Sequence, residues 1–577
     1  MRSLILTLIA FLATTFLMAQ EPVWIFFTDK GPDVACLLEN PENYLSQAAL
    51  ERREHNHIPF TVQDLPLYQP YMDELGALAG KPLGSSRWLN AVAVNINPRV
   101  KNEILTLSFV KGVRKVAKGK LMEANDPPKE FQLQPQNIIP IPGYGQAELQ
   151  NTMLKIEGLH QKGFSGEGVK IAIMDAGFRG VDKIEAFDSV RSSGRILATY
   201  DFVDKDTFVY DYDVHGTQVM SVIGANMPDQ LIGTAPKASF MLFRTENRFS
   251  ETRQEEYNWV QAMEMADSLG ADVIHTSLGY SVFDSQEESY KYENMDGNTA
   301  ITTLAAEMAA RRGIIVTASA GNERMNSWGK IVAPCDGDSV LCIGSIDRHG
   351  NLSSFSSIGP SADGRVKPDV VAMGSRTMAT SSSNRIYGVN GTSFSAPLVA
   401  GVVACLRQAH PQRSNIDIIQ AIRLSGDQYA LPDEKYGYGI PNAVFADSLL
   451  ANVEDLSTVK IRMEEKPFRG KKPEVAEIKP KPKAEPEKKD QVTFTVNPQT
   501  DIELEPKKLI ISTKDSQAQI QTYTLYKGNQ KVILNSKLIS ESLDEITIRT
   551  KHLIKGNDYY LEITTDAFTE RIPIILE

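Results

Sequence analysis

The chain has 577 residues with a net charge of −11, an apolar content of 42% and a charged content of 23%. That length predicts roughly three or four folding units, and the composition is ordinary for globular protein. Because phosphate binding needs a basic surface, the negative charge argues against nucleic acid as the main partner.

The chain begins with a short apolar stretch. Residues 4–18 follow the basic Arg2 and end just before Ala19. This layout predicts a secretory signal peptide at 1–19. The stretch is short for a membrane span, and no later stretch is long and apolar enough to cross a bilayer. We therefore expect export to a secreted or cell-surface location, with no membrane span after signal removal.

Four cysteines fit an oxidising compartment without forming a disulfide scaffold. Cys335 and Cys342 lie seven positions apart across a turn-like Asp-Gly-Asp, so pairing and free thiols are both compatible with the sequence. Cys405 falls in an apolar helical pattern, which favours a buried thiol, while Cys36 stands alone.

Two apolar runs near the start, at 24–28 and 88–94, flank a helical pattern at 44–54 and predict a small α+β domain at 20–120. The next stretch, 121–144, is rich in proline and glutamine with few apolar anchors. Such a composition is typical of an extended, cleavable connection. A small domain before a cleavable joint indicates a pro-region.

From residue 145 to 455, short apolar runs alternate with amphipathic helical patterns. This alternation predicts an α/β domain with a parallel sheet covered by helices on both faces. Binding groups collect at the carboxyl ends of the strands in such sheets. The apolar runs are 169–174, 239–243, 272–276, 314–318 and 340–343.

The last part of the chain changes composition twice. Residues 456–490 are dominated by lysine, glutamate and proline, which predicts a spacer without a core. Residues 491–577 contain about six strand-like runs with Gly-Asn turns at Gly528 and Gly556, which predicts a small all-β domain.

Four polar residues of the α/β region stand at strand ends or helix starts. Asp175 ends the run KIAIMD, and Asn322 follows IIVTASAG. His215 and Ser393 each precede an apolar helical pattern. Taken singly, each has an ordinary structural interpretation as a turn residue, a core histidine or an N-cap.

The helical pattern after Ser393 predicts a buried helix, because leucine and valine recur every fourth position among small residues. We expect Pro397 near the first turn, where a missing N–H costs nothing, and Ser393 at or just before the helix N-terminus. Its hydroxyl would face the positive end of the helix dipole. A bulky residue at Ala400 or Gly401 should cost both stability and activity.

Together the four residues supply the parts that acyl transfer requires. A serine hydroxyl is a weak nucleophile at neutral pH and needs a base, a role that suits a histidine. A carboxylate fixes the imidazole tautomer, and an amide N–H donates to the oxyanion formed on attack. This chemistry requires no cofactor, and the predicted site contains no metal.

The motifs around these residues resemble those of the subtilisin-like serine proteases. The matching stretches are IAIMDAG, HGT, SLG, ASAGN and GTSFSAP, and the chain order is Asp, His, Ser. The resemblance covers about residues 145–446. It implies a serine endopeptidase that acts on proteins or peptides.

The resemblance also implies a role for each residue. Asp175 would orient His215, which acts as general base and then as general acid, while Ser393 attacks the scissile carbonyl. Asn322 would donate to the oxyanion together with the Ser393 backbone N–H. Extended substrate would pair with the edge strand formed by Ser277, Leu278 and Gly279.

The small domain at 20–120 resembles the inhibitory pro-domain of that family. This implies an intramolecular inhibitor and a zymogen that cleaves itself between about residues 120 and 144. The all-β region resembles, less specifically, the C-terminal sorting domains of type IX secretion substrates, which would add the secretion machinery as a partner and export through the periplasm. The alternative is an immunoglobulin-like accessory domain that binds substrate or the cell surface.

Two further alternatives stay open. One is a structural calcium, because an aspartate run offers hard oxygen ligands, although the run has no defined loop signature and its composition favours a solvated face. The other is an inactive cell-surface scaffold or adhesin with a protease fold, against which the intact set of four residues counts. The aspartates of the run are Asp201, Asp204, Asp206, Asp211 and Asp213.

Overall fold

The computed structural model describes residues 21–115, 143–285 and 288–456, and, further on, only strand segments between 492 and 576. The chain divides into two compact units, Met1–Lys466 and Pro467–Glu577. The predicted signal peptide, nearly all of the cleavable linker and nearly all of the spacer lie outside the described residues.

The N-terminal domain is a four-stranded antiparallel sheet with helices packed on one face. Because side chains alternate along a strand, Val23 and Ile25 enter this domain's own core while Trp24 faces the next domain. The elements, in chain order, are β1 (Glu21–Phe27), α1 (Val34–Leu38), α2 (Gln47–His55), α3 (Gln69–Ala79), β2 (Gly84–Ser86), β3 (Ala91–Ile96), α4 (Pro98–Ile104) and β4 (Val110–Lys115).

A seven-stranded sheet organises the next domain and confirms the predicted parallel sheet with helices on both faces. The strands are β5 (Lys170–Asp175), β6 (Ile196–Asp201), β9 (Ser239–Arg244), β10 (Val273–Thr276), β11 (Ile315–Ser319), β12 (Val340–Ile346) and β13 (Val370–Met373). Their spatial order in the sheet is β13-β12-β11-β10-β5-β9-β6.

Two cores cover this sheet, one on each face. Within β5, Ile171 and Ile173 belong to one core and Ala172 and Met174 to the other, so burial on both sides explains the continuous apolar run. Smaller pairs of strands accompany the sheet, namely β7 (Asn226–Met227) with β8 (Leu231–Ile232), and β14 (Ser375–Thr380) with β15 (Ile386–Asn390).

The helices of this domain include two that start at predicted functional residues. They are α5 (Glu148–Met153), α6 (Glu157–Gln161), α7 (Asp188–Ser192), α8 (His215–Gly224), α9 (Arg253–Leu269), α10 (Ile301–Ala310), α11 (Thr392–Ala409), α12 (Asn415–Leu424) and α13 (Ala443–Asn452). Helices α8 and α11 pack on one core, and α9 and α10 pack on the other.

Helix α11 is buried along almost its whole length. A Cβ on Gly401 would lie 1.9 Å from Thr234 Oγ1 and 3.1 Å from the backbone nitrogen of Ala235. Only glycine permits this close approach between the helix and the segment after β8, so even alanine at this position would force the two apart.

Cys335 and Cys342 form a disulfide with a Cα–Cα distance of 4.9 Å, so the structure favours pairing over two free thiols. The bond ties the first residues of β12 to the turn that precedes them. Cys405 is a buried thiol in α11, as its helical position predicts, and Cys36 is exposed.

A buried group of charged residues joins the N-terminal domain to α9. Asp267 of α9 is fully buried and receives Arg53 Nη2 at 2.7 Å and Arg87 Nη2 at 3.2 Å, as well as the guanidinium of Arg52. Three positive side chains of one domain therefore converge on a single carboxylate of the other.

The same group extends to the loop after α10. Asp64 of the N-terminal domain accepts from Arg53 at 2.9 Å and from Arg312 Nε at 2.8 Å. The Arg312 guanidinium also lies 4.4 Å from the ring centre of Trp88, a cation–π contact. The two domains thus share both an apolar core and a set of paired charges.

The C-terminal unit consists of two antiparallel sheets, with more strands than the sequence indicates. One has the order β16-β24-β23-β19-β20 and the other β17-β18-β22-β21. The strands are β16 (Val492–Thr493), β17 (Thr500–Glu505), β18 (Lys508–Thr513), β19 (Ile520–Lys527), β20 (Gln530–Lys531), β21 (Ile539–Glu541), β22 (Glu545–Ile548), β23 (Tyr559–Thr565) and β24 (Thr569–Leu576). Among the described residues, no helix combines the length and apolar character that crossing a bilayer requires.

Candidate active site

Asp175 and His215 meet at the carboxyl edge of the sheet. Asp175 ends β5, is fully buried and accepts from His215 Nδ1 at 2.8 Å through Oδ1, which also accepts from the Ala176 N–H. His215 begins α8, where its backbone N–H donates to Asp213 Oδ1 at 2.9 Å. A Cβ on Gly216 would lie 2.4 Å from the Gly177 carbonyl oxygen, so the glycine allows this close approach.

The electrostatics of this pair favour a charged imidazole. Burial lowers the pKa of His215, but the charge of Asp175 and its hydrogen bond, together with the charge of Asp213, raise the pKa above its ordinary value. Because the carboxylate accepts from Nδ1–H, the Nε2 lone pair of the neutral imidazole is free to take a proton.

Ser393 is the second residue of α11, as expected for a hydroxyl at a helix N-terminus. The prediction for Pro397 is wrong in detail, because this proline is the sixth residue of the helix rather than part of the first turn. Its missing N–H leaves the Ser393 carbonyl without the usual helical donor four residues on. Ser277 Oγ donates to that carbonyl at 2.8 Å instead.

Asn322 follows β11 and faces the start of α11. Its Oδ1 accepts from the backbone N–H of Thr392 at 2.9 Å and from the Thr392 hydroxyl at 3.1 Å. These two bonds fix the orientation of the amide, so Nδ2 is the group directed away from Thr392. Within the described part of the chain, Nδ2 has no hydrogen-bond acceptor.

Ser277, Leu278 and Gly279 follow β10 and line the same cleft. Ser277 is also tied to the nucleophile's backbone, and its carbonyl oxygen accepts from Ser393 Oγ at 3.3 Å. Gly279 is exposed, and a Cβ at this position would lie 2.2 Å from Val332 Cγ2. The segment 277–279 is therefore packed against Ser393 and Val332 on one side and exposed to the cleft on the other.

His275 is a residue of this site that the sequence analysis missed. Its Nε2 lies 2.9 Å from Ser277 Oγ and its Nδ1 lies 3.0 Å from Thr317 Oγ1, so a buried chain of hydrogen bonds runs from β11 to the Ser393 carbonyl. Burial and then the charge of His215 lower the pKa of His275 to about 3. A neutral His275 donates from Nε2 and leaves Ser277 free to donate onward.

All seven predicted site residues except Asp175 line one cavity of about 440 Å³. The fully buried Asp175 lies behind the imidazole of His215. The structure thus brings together a hydroxyl, a base with its orienting carboxylate, an amide donor and an open backbone edge. This arrangement suits nucleophilic attack on an acyl carbon.

The aspartate run lies outside this cavity except for Asp213. Asp201 and Asp204 both accept from Arg244, at 2.7 and 2.9 Å, and Asp204 also accepts from the Tyr212 hydroxyl at 2.7 Å. Their oxygens are thus paired with a resident cation. In the described ranges, no three His, Cys, Asp or Glu side chains are arranged to hold a metal ion.

Comparison with known proteins agrees with this geometry. Residues 166–439 match the subtilase family, peptidase S8, and residues 22–131 match the peptidase S8 propeptide domain of Bacteroidota. A thermophilic serine proteinase of Bacillus sp. (strain AK1) is 30% identical over 361 residues, which span 62% of this chain and 80% of that protein. The chain belongs to the subtilase family.

Other subtilases align over the same region. Subtilisin NAT of Bacillus subtilis subsp. natto is 29% identical over 295 residues, which span 50% of this chain and 68% of that protein. Subtilisin of Bacillus pumilus is 28% identical over 295 residues and is covered to 95% of its length. This subtilase is accordingly a hydrolase of the serine endopeptidase class, made with an N-terminal propeptide domain.

Proposed function

We propose that this subtilase hydrolyses peptide bonds through a triad of Ser393, His215 and Asp175 and a covalent acyl-enzyme. The observation that carries the proposal is the 2.8 Å contact between Asp175 Oδ1 and His215 Nδ1, because His215 and Ser393 line the same cavity. The contact fixes the tautomer in which Nε2 accepts a proton.

The first half-reaction forms the acyl-enzyme. Ser393 Oγ attacks the scissile carbonyl while its proton moves to His215 Nε2. Asn322 Nδ2 and the Ser393 N–H donate to the oxyanion, and the latter has no acceptor within the first turn of α11. Collapse breaks the C–N bond, and His215 returns the proton to the departing amine.

Hydrolysis of the acyl-enzyme repeats these steps with water. Water attacks the ester carbonyl and gives a proton to His215 Nε2, and the proton then returns to Ser393 Oγ as the acid product leaves. The Asp175 carboxylate stabilises the imidazolium while His215 holds the proton.

The propeptide domain is proposed as an intramolecular inhibitor that the enzyme itself removes by cleavage between about residues 120 and 144. The paired charges between Asp267 and the arginines of the N-terminal domain support a stable, inhibited zymogen. We also propose that the protein is secreted or displayed at the cell surface, with 491–577 as a sorting or accessory domain.

Covalent labelling tests the reaction. A fluorophosphonate should label the matured protein at Ser393, and peptide mapping should locate the adduct. Ser393→Ala should abolish labelling and should accumulate as the uncleaved zymogen. Absence of labelling of the matured protein would favour the inactive scaffold, and a Ser393→Ala chain that matures unaided would contradict self-cleavage.

Deletion tests the C-terminal region separately. If residues 490–577 are a sorting domain, a chain that lacks them should mature and remain in the periplasm as an active protease. If they are an accessory domain, the shortened enzyme should still be exported and should bind substrate or the cell surface less well.

A further inference from the structure

One wall of the catalytic cleft is acidic. The residues that line the cavity include four carboxylates and one guanidinium. The guanidinium, Arg248, is 3.6 Å from Asp213 Oδ2, and Glu323 accepts from the Asn326 amide. Only Asp213 thus has a cationic partner among the described residues, and Glu323 has a neutral amide donor. Glu246 and Glu251 have no cationic partner there.

Glu246 lies just after β9 and is 7% exposed. Its Oε1 accepts from the Tyr280 hydroxyl and from Thr245 Oγ1, whereas Oε2 has no hydrogen-bond donor in the described part of the chain. Tyr280 directly follows Gly279, so this carboxylate lies beside the segment 277–279. A side chain that is more than nine-tenths buried thus presents, at the cleft, a carboxyl oxygen that receives no hydrogen bond from the described residues.

Glu251 is on the same loop and contributes a second unpaired carboxylate. Its backbone N–H donates to Asp284 Oδ2 at 3.0 Å, and its carbonyl accepts from the Asp284 N–H at 2.8 Å, but its carboxylate has no partner among the described residues. The neighbouring Glu255 and Glu256 are satisfied, by the Thr252 cap and by Arg253 respectively.

The two unpaired carboxylates destabilise each other when both are charged. Burial and then the charge of Glu255 raise the pKa of Glu246 to about 8. Burial and then the charge of Glu246 raise the pKa of Glu251 well above its usual range. A cation placed between them would remove this repulsion, because opposite charge favours the ionised carboxylate.

We propose that the subtilase selects peptides with a lysine or arginine on the acyl side of the scissile bond, whose cationic end binds Glu246 and Glu251. This inference rests on the proposed function, because it requires substrate along Ser277–Gly279. A cavity of about 440 Å³ lies within the range of ligand pockets and leaves room for a side chain beside the backbone. Charge-assisted hydrogen bonds from ammonium or guanidinium would satisfy the unpaired oxygens.

Matched quenched-fluorescent peptides test the inference with the full-length, matured enzyme. Lysine, arginine, norleucine, glutamine or glutamate is placed at P2, P3 or P4 in turn, with all other positions fixed. We expect kcat/KM at one of these positions to be about 10- to 100-fold higher for lysine or arginine than for norleucine, mainly through KM. Glutamate there should be the poorest substrate.

Three variants assign the preference to the acidic wall. Glu246→Gln and Glu251→Gln should each reduce the lysine-to-norleucine ratio by about tenfold, and one of the two suffices if the other does not fold. Glu167→Gln removes an exposed carboxylate that pairs with Lys237 on the surface, so it changes the net charge equally and should leave the ratio unchanged.

The outcomes separate this inference from the proposed function. Hydrolysis without a basic preference at P2, P3 or P4, or a preference that both glutamine variants retain, overturns the inference alone. A matured enzyme that cleaves none of the peptides and is not labelled by a fluorophosphonate contradicts the proposed function instead. A preference for glutamine over lysine would show that protons, rather than a substrate cation, neutralise the two carboxylates, and would also overturn it.

Discussion

Two fully buried carboxylates, Asp175 and Asp267, differ in the kind of side chain with which each is paired. Asp175 faces one imidazole, whose charge can change during a reaction cycle. Asp267 faces three guanidinium groups of the propeptide domain and, at 4.0 Å, Nε of Arg312 from its own domain. Under the proposed function, Asp175 would support a reversible proton transfer, whereas Asp267 would hold the propeptide domain until processing releases it. We call the ion-pair group of Asp267 with Arg52, Arg53, Arg87 and Arg312 the clamp.

The largest effect is expected at Asp175. In Asp175→Asn the amide cannot enforce the Nδ1–H tautomer, so kcat should fall by about 10⁴-fold. The loss of negative charge should also lower the pKa of His215, because that charge is what raises it. Steady-state kinetics on a peptide substrate measure both effects.

The pH profile of activity shows the direction in which the pKa of His215 changes in Asp175→Asn. The base must be neutral, so activity rises with pH through the pKa of His215, and in the wild type this limb should lie above pH 6.5. In the residual activity of Asp175→Asn the limb should move to lower pH. An unchanged limb would show that another group controls the titration.

Asp267→Asn should weaken the binding of the propeptide domain to α9. Buried arginines that lose their counter-charge cost about 3 to 5 kcal/mol, so the cleaved propeptide domain should dissociate at least 100-fold more readily. The measurement is the rate at which activity appears after processing. Because Asp267 is far from the triad in sequence and contacts none of it, the kcat of the released enzyme should stay near the wild-type value.

A surface ion pair of the propeptide domain provides the control for this experiment. Arg99 and Glu103 are exposed and 3.4 Å apart. Exposed pairs contribute about 0 to 1 kcal/mol, so Arg99→Ala should leave the release rate almost unchanged. Equal acceleration in both variants would mean that the buried position of Asp267 confers no advantage.

Asn322→Ala tests a neutral group of the active site, the amide that is proposed to donate to the oxyanion. Loss of one oxyanion donor typically costs about 3 to 4 kcal/mol in the transition state, so kcat should fall 10²- to 10³-fold with a small change in KM. Active-site titration and initial rates on the same peptide distinguish this loss from misfolding. A dominant increase in KM would assign Asn322 to ground-state binding.

The smallest effect concerns His275, which is buried and neutral. Its pKa is about 3 in the folded protein against an ordinary value of 6.5, so the unfolded state binds the extra proton. Its contribution to stability is complete above pH 6.5 and is lost as the pH falls from 6.5 towards 3, by at most about 1.4 kcal/mol per pH unit.

A variant that cannot titrate checks this linkage. In a Ser393→Ala background, which prevents autolysis, His275→Asn should show a shallower loss of unfolding free energy between pH 7 and pH 5 than the parent. Denaturant unfolding at both pH values measures the difference. Parallel pH dependences would indicate that His275 is already charged when folded.

The predicted active-site residues can be recognised in the sequence because each lies in a short local motif. Asp175, His215, Asn322 and Ser393 each occupy a strand end or a helix start, and the parallel sheet brings those ends to one edge. His275 escaped the same reasoning because its partners, Thr317 and Ser277, are recognisable only once β10 and β11 are paired.

The clamp could not be predicted in this way. The helical pattern at 44–54 indicates α2, but it does not show that Arg52 and Arg53 face a carboxylate more than 200 positions away. Such pairing depends on how the propeptide domain docks on α9. Pro397 was misplaced for a related reason, since the donor that compensates for its missing N–H is Ser277, 116 residues from Ser393.

The chain order of the clamp residues also fixes a sequence of events during synthesis. The clamp draws on arginines of the propeptide domain, on Asp267 and finally on Arg312, whereas Ser393 follows 81 positions later. At about 5 to 20 residues per second, the ribosome completes the docking surface roughly 4 to 16 s before the nucleophile exists. The residues that dock the propeptide domain are thus all synthesised before Ser393, so no nascent chain carries the serine nucleophile without them.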